Sequence, residues 1–361
     1  IINIGGLAFG IACCLLIFRY VVFEMSYDNY HKDADRIYRI NMNMKHQNRK
    51  TKESRFDLYV PKIPAPLIGH VREEIPNIEK AVCITKGGLE PKLVSREDKR
   101  FYENEYMYIE HEVFDIFRIP FVLGNPKSAL ERPNSVVITQ RIAEKYFGNT
   151  QILGEVISID DETYQITGVV ENPPKNTHLK YDFMISFKTY EVNEGGLNLW
   201  GAWGFQGYIK LAIGVDPRDM ERTLNETYGD VMQRRGITHR YFLEPVSKIH
   251  LNIKWSGEMD PKFLMILSII ALFVLGLACI NFINMTTARS SYRAREIGLR
   301  KVVGGERRQL IRQFLYESMI MSLFAMLFAL LLVSFLFPFF NTLVDRSFSL
   351  VDFLEKDFIL A

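Results

Sequence analysis

The 361-residue chain is poor in the residues that build covalent or metal-bound sites. It has four cysteines, and Cys13, Cys14 and Cys279 stand inside apolar runs. Cys83 is alone in the polar part of the chain, which excludes an intrachain disulfide there. No CxxC or Cys/His spacing suggests zinc, and the seven histidines (31, 46, 70, 111, 178, 239 and 250) include no HxxxH pair. No metal or cofactor is therefore expected. A P-loop, GxSxG, HExxH and SxxK are all missing. The paired acids Glu73-Glu74 and Asp160-Asp161 fall at a helix end and in a turn, where solvation or turn chemistry accounts for them. His178 is the best-placed histidine, but no nearby Ser or Cys gives it a nucleophile to activate. A net charge of +2 lacks the basic excess of a nucleic-acid binder. Catalysis is thus the weaker class of function, and nucleic acid is not an expected partner.

Long apolar runs are what the chain has instead. Residues 1–18 are apolar apart from Asn3. Residues 263–280 contain only Ser268 as a clearly polar member, and residues 319–340 carry no charge. Runs of this length cross a hydrocarbon core about 30 Å thick. The first lacks the basic start and small-residue cleavage site of a signal peptide, so it reads as a span. Gly5, Gly6 and Gly10 would let it approach another helix closely.

Between the second and third runs stand eight Lys or Arg: Arg289, Arg293, Arg295, Arg300, Lys301, Arg307, Arg308 and Arg312. Glu296 and Glu306 are the acids interspersed among these eight, and Glu317 follows the last of them. A short loop this basic faces the cytoplasm. The region 25–261 leaves one span and returns into the next, so it lies on the opposite side. The expected fold class is a membrane protein with α-helical transmembrane segments and a large α+β extracytoplasmic domain.

That domain reads as a split β-α-β fold with a mainly β insertion. Strands at 36–44 and 78–85 flank a helix over 61–74 that carries Leu67, Ile68 and Val71. A second unit has a strand at 208–213, a helix started by Asp216-Pro217 and reaching about residue 234, and a strand at 241–246. The segment 87–207 is read as a separate module. Its strands are 92–95, 100–109, 135–138, 156–159, 163–170 and 181–187, the last alternating. Its helices are 111–117 and 140–147, with Thr139 as N-cap and Gly148 as the stop. Residues 194–203 are rich in Gly and Asn and read as a loop. The divisions expected are spans at 1–24, 262–285 and 319–340, and α+β halves at 25–86 and 208–261. The insertion is 87–207 and the cytoplasmic segment 286–318, with an extracytoplasmic loop starting at 341–361.

If residues 288–303 are helical, Ala288, Tyr292, Leu299, Val302 and Val303 share an apolar face. Arg289, Arg293, Glu296 and Arg300 lie beside it. Ile297 then stands off the stripe, an apolar knob in a charged rim. The same pattern also fits a basic anchor lying on anionic lipid.

The stretch REIGLRKVVGGERRQLIRQFLYES closely resembles the cytoplasmic segment of the FtsX-like permease domain in MacB-type ABC transporters. EMSYDNYHKDADRIYRI resembles the start of the periplasmic region in MacB-like permeases of Bacteroidota. SVVITQRIAEKYFGNTQILGEVISIDDETYQITGVVENPPKNTHLKYDFMIS resembles that family's periplasmic core. The resemblance implies a non-catalytic permease of the bacterial inner membrane with its large domain in the periplasm. A separate cytosolic ABC ATPase would hydrolyse ATP and dock on the cytoplasmic segment. Arg295, Glu296, Ile297, Gly298, Leu299, Arg300, Lys301 and Gly304 match the family's coupling motif. It further implies pairing with a second permease chain or half, and contact with membrane lipid. A periplasmic adaptor or cargo is a further partner that it allows. The mechanism it implies is mechanotransmission, in which ATP-driven closure rearranges the periplasmic domain for export or for lipoprotein or peptide handling. Family members have four spans, so three here imply a fragment. The alternative is a membrane-anchored ligand-binding sensor, but the segment between the second and third runs is too short for a folded output domain.

Overall fold

A computed structural model describes residues 2–47, 54–86, 88, 90–195, 198–201, 203–229, 237–255, 258–292, 307–344, 346 and 348. The chain divides into two compact units, Ser26–Met259 and the pair of segments Ile1–Met25 and Asp260–Ala361.

The second of these units is helical. Helix α1 (Ile2–Met25) opens the chain. Two long helices, over Pro261–Tyr292 and Arg307–Val344, close it. Stretches of all three are long and apolar enough to cross a membrane: Asn3–Met25, Pro261–Ala288 and Ile311–Val344. α1 packs on both of the other helices. A methyl group on Gly10 would collide with Ala278, and one on Gly6 would lie 3.2 Å from Asn281 Nδ2, so these two glycines give the close approach. Gly5 has open space around it and does not contribute. Ala325, Ala329, Val333 and Phe337 recur every four residues and are buried, whereas Phe335 and Phe339 are exposed. The polar end of the unit is tied in as well. Arg346 pairs with the buried Glu24 at 3.3 Å, and Phe348 meets Phe23 edge-on.

The other unit is α+β. In chain order its strands are β1 (Ile37–Gln47), β2 (Ser54–Val60), β3 (Ile63–Pro64), β4 (Ile78–Thr85), β5 (Lys92–Arg96), β6 (Lys99–Glu103) and β7 (Tyr106–Ile109). They continue with β8 (Phe121–Gly124), β9 (Ser135–Thr139), β10 (Val156–Ile159), β11 (Glu162–Val170), β12 (Phe183–Ser186), β13 (Trp203–Leu211) and β14 (Ile237–Pro245). Its helices are α2 (Ala65–Glu74), α3 (Val113–Ile116), α4 (Gln140–Phe147), α5 (Phe187–Glu194) and α6 (Pro217–Tyr228). The two terminal membrane helices are accordingly α7 (Pro261–Tyr292) and α8 (Arg307–Val344).

The sheet runs β14-β1-β13-β4-β7-β12-β9-β11-β10-β5-β6. Its first four strands are antiparallel neighbours. β1-α2-β4 and β13-α6-β14 are therefore two split β-α-β units, each with a strand of the other between its own pair. That interleaving is the ferredoxin-like arrangement. Local chemistry fixes the helices. Leu67, Ile68 and Val71 of α2 are buried, and the Asp216 side chain caps α6 by accepting from Arg218 N at 2.8 Å. The expected extension of α6 to residue 234 lies outside the described residues beyond Gly229.

The segment 87–207 supplies the far half of the same sheet. β4 hands over to β7 through Ile84↔Ile109 and Thr85↔Tyr108. One buried core runs beneath α2, α4, α5 and α6 across both halves, and a second lies on the opposite face. Backbone hydrogen bonds thus continue one sheet from the β-α-β units through this segment.

Three local expectations change. The strand expected over 100–109 is two strands, β6 at the sheet edge and β7 near its middle. Glu103 is drawn to Lys145 Nζ (2.6 Å) and the Tyr146 hydroxyl (2.8 Å), and the chain leaves the edge there. The alternating run 181–187 is instead buried on both faces in β12, because β7 and β9 flank it and both cores cover it. Phe187 already begins α5. In the β10–β11 hairpin Asp160 and Asp161 alone form the turn, with φ of 49° and 69°, and Glu162 pairs with Ile159.

Candidate functional site

The residues expected to couple to an ATPase, Arg295, Glu296, Ile297, Gly298, Leu299, Arg300, Lys301 and Gly304, lie outside the described residues. The elements on either side of them are described. α7 has 32 residues and α8 has 38, about 48 Å and 57 Å at 1.5 Å per residue. A hydrocarbon core takes only about 30 Å. Both helices therefore outlast the bilayer, and one end of each flanks the basic segment. The first turns of α8 carry Arg308 and Arg312, both exposed. Cations at a helix N-terminus oppose the macrodipole, at a cost of roughly 0.3–1 kcal/mol each. Helix stability therefore does not account for Arg308 in the first turn. Gln309, Arg312, Tyr316, Ile320 and Met321 line a shallow groove along this end.

One acid of each pair noted in the sequence has structural partners. Glu74 accepts from the Tyr228 hydroxyl (2.9 Å) and lies 2.7 Å from His70 Nδ1. Asp160 accepts from Leu93 N (2.8 Å) and Lys92 Nζ (2.6 Å). The Cys83 thiol is buried in β4, and burial pushes its pKa far up, so it stays protonated and unreactive.

His178 sits in a constellation that sequence reasoning missed. It follows β11 in the loop 171–182 and faces Asp28, which lies three residues beyond α1. His178 Nδ1 is 2.9 Å from Asp28 Oδ2, and its backbone N–H donates to Oδ1 at 3.1 Å. On its other side, His178 Nε2 lies 2.9 Å from the Tyr208 hydroxyl, which itself donates to Gln206 Oε1 at 3.4 Å. Thr177 Oγ1 donates to Asp28 Oδ1 (2.7 Å) and accepts from the Tyr30 hydroxyl (3.0 Å). Arg118 N–H donates to His31 Nδ1 (3.2 Å), which leaves the His31 proton on Nε2, 3.7 Å from Asp28 Oδ1.

Asp28, His31, Thr177 and Tyr208 are all buried. Burial would raise the Asp28 pKa. His178, by charge and hydrogen bond, outweighs it with help from His31 and Thr177, and the carboxyl is held well below the usual carboxylate range. Burial lowers His31, only partly offset by Asp28, and raises Tyr208. The hydroxyl–imidazole–carboxylate line resembles a catalytic relay, but with Tyr208 fully enclosed no substrate reaches it. It joins chain segments. Nothing local in the sequence signals it, because Asp28 and His178 are 150 residues apart.

Three apolar helices and a ferredoxin-like domain extended by a second half-sheet define a multi-pass membrane protein with an extracytoplasmic domain. Residues 1–227 match the MacB-like periplasmic core domain, and residues 268–354 match the FtsX-like permease C-terminal domain. The chain belongs to this family of MacB-like, FtsX-type permeases. Among similar proteins, the ABC transporter permease YknZ of Bacillus subtilis is 25% identical over 187 residues, covering 52% of this chain and 44% of YknZ. The macrolide export ATP-binding/permease protein MacB of Wolinella succinogenes is 23% identical over 189 residues, covering 52% of this chain and 28% of MacB. The chain thus matches less than half the length of these relatives. A domain of a permease protein from Porphyromonas gingivalis has a similar fold. Its TM-score is 0.50 at 22% identity, over 59% of this chain and 90% of that domain.

Proposed function

We propose that this chain is the non-catalytic permease part of an ABC transporter. A separate cytosolic ATPase docks on residues 286–318. Its ATP-driven closure moves the membrane helices and rearranges the extracytoplasmic domain, for export or for lipoprotein or peptide handling. The active form is a dimer of permease chains or halves, surrounded by lipid and free to engage a periplasmic adaptor or cargo. We assign the spans to 1–24, 262–285 and 319–340. The extracytoplasmic parts are 25–86, 87–207, 208–261 and the loop from 341. The observation that carries this reading is the pair of family matches in one chain, the second of which, over residues 268–354, contains the basic segment flanked by two over-long helices. The naming of the YknZ relative as a permease alone supports an ATPase on another polypeptide.

Within the segment, Ile297 serves as the apolar knob and Glu296 as part of its charged rim. Arg295, Gly298, Leu299, Arg300, Lys301 and Gly304 complete the docking motif. Ile297→Asp buries a charge at the contact and Glu296→Arg inverts the rim. Each is expected to cost about 2 kcal/mol of docking energy or more, roughly 30-fold in affinity. Stimulated ATPase activity of the reconstituted pair measures this. Unchanged stimulation in both variants would refute the docking assignment, provided near-UV circular dichroism shows the extracytoplasmic domain intact.

A further inference from the structure

We infer that Asp28, with Thr177, His178 and Tyr208, is a mechanical clamp through which the chain leaving the first membrane span grips both halves of the extracytoplasmic sheet. The inference rests on the mechanotransmission reading for its purpose and on the geometry for its existence.

Helix α1 ends at Met25, and the clamp begins at the next residue. Asn176 Nδ2 donates to Ser26 Oγ (2.9 Å) and Ser26 O (3.2 Å), and Asp28 N–H donates to Asn176 O (2.9 Å). Asp28 then collects Thr177 and His178 as described. The loop 171–182 that carries Asn176, Thr177 and His178 leads into β12, the strand between β7 and β9 in the far half of the sheet. His178 reaches onward to Tyr208 on β13, in the near half. Phe117 meets His31 and Tyr208 edge-on and closes the cluster from the side. Tyr27 stacks on His250 with ring centroids 3.5 Å apart, so the incoming segment also touches the segment leading to Met259.

The location gives the clamp its use. The two halves of the sheet join backbone to backbone through the short β4–β7 ladder of Ile84↔Ile109 and Thr85↔Tyr108. Beside it, the Glu110 carboxylate accepts from Cys83 N and Arg72, both at 2.7 Å. This two-pair ladder is shorter than β13–β4 and β7–β12 on either side of it, and we place the bending of the sheet here. The clamp bridges that seam on the far side from α2. A pull on Ser26 therefore reaches β12 directly through a charge-assisted network, and not only along β1. Asp28 is suited to the place for two reasons. Its φ of 59° is a conformation that Asp and Asn tolerate. Its carboxylate offers enough lone pairs for several donors at once.

The test uses the whole chain in lipid nanodiscs, with the four native cysteines replaced. Spin labels are placed at Tyr102→Cys in the far half and Ile213→Cys beside the near half; both positions are highly exposed. Without nucleotide, the unsubstituted clamp is expected to give one narrow interlabel distance. Asp28→Asn keeps the backbone preference and removes the charge; it is expected to broaden that distance and shift its mean while far-UV circular dichroism stays constant. Thr177→Val, which deletes one donor to Asp28 together with the acceptor for Tyr30 and Leu179 N, should broaden it less, and carries the test if Asp28→Asn does not fold. An unchanged distance in the folded variants overturns the clamp, whatever ATP does. With the ATPase and Mg-ATP added, the unsubstituted clamp should show a shift that Asp28→Asn loses. Absence of any ATP-dependent shift in the unsubstituted clamp would refute mechanotransmission and leave the nucleotide-free result to judge the clamp.

Discussion

At the residue scale, the buried ionisable groups give the extracytoplasmic domain a defined response to acid. His31 is held neutral: burial lowers its pKa from an unfolded value near 6.5. Burial does the same to His239. The unfolded chain therefore takes up protons that the folded chain refuses. Stability is full above pH of about 6.5 and falls as pH drops toward the folded pKa values. Asp28 acts lower on the scale. Its folded pKa is depressed, so its contribution is complete above the unfolded value of about 3.9 and is lost as pH falls below it. Thermal midpoints measured from pH 8 to 3 should thus decline in two stages. His31→Gln keeps an acceptor for Arg118 N–H and an N–H toward Asp28, and should flatten the first stage. Asp28→Asn should flatten the second. A midpoint independent of pH between 7 and 5 would show that neither histidine is protonated preferentially in the unfolded chain.

At the element scale, α4 shows a helix set by its own sequence. Thr139 Oγ1 accepts from Ile142 N (3.4 Å) and donates to Asp182 Oδ1 (2.9 Å), Ile142, Ala143 and Tyr146 face the core, and Gly148 ends the helix at φ 74°. Thr139→Ala should cost about 1–2 kcal/mol, and Thr139→Ser much less. At roughly 2–4 °C per kcal/mol for a domain of this size, a melting scan resolves the two. This helix was legible because its cap, stripe and stop all lie within ten residues. α2, β4 and the start of α6 were legible for the same reason. The break between β6 and β7 was not, because Glu103 answers to Lys145 and Tyr146 some forty residues on. β2 and β8 escaped notice too. β2 pairs with the second half of β1 and β8 with the end of β11, and neither pairing leaves a local pattern. The clamp around Asp28 is the extreme case. Every residue in it has an unremarkable neighbourhood in sequence, and only the fold brings them together.

At the scale of the whole molecule, charge and hydropathy decide which side each part occupies. Three spans place the region that follows α1 and the basic end of α7 and α8 on opposite sides. In the topology proposed above, the arginines of that end hold it in the cytoplasm, because translocating them is disfavoured while a large folded domain crosses regardless of its own charge. The native cysteines make the arrangement easy to test. Cys13, Cys14 and Cys279 lie within spans, and Cys83 is buried with its thiol protonated. The unsubstituted chain should therefore stay dark to a membrane-impermeant maleimide. Ile213→Cys, highly exposed beside β13, should label in intact spheroplasts. Arg308→Cys, exposed in the first turn of α8, should label only after permeabilisation. Labelling of Arg308→Cys in intact spheroplasts would invert the topology. It would also remove the docking segment from any cytosolic ATPase, so this measurement precedes every test of coupling.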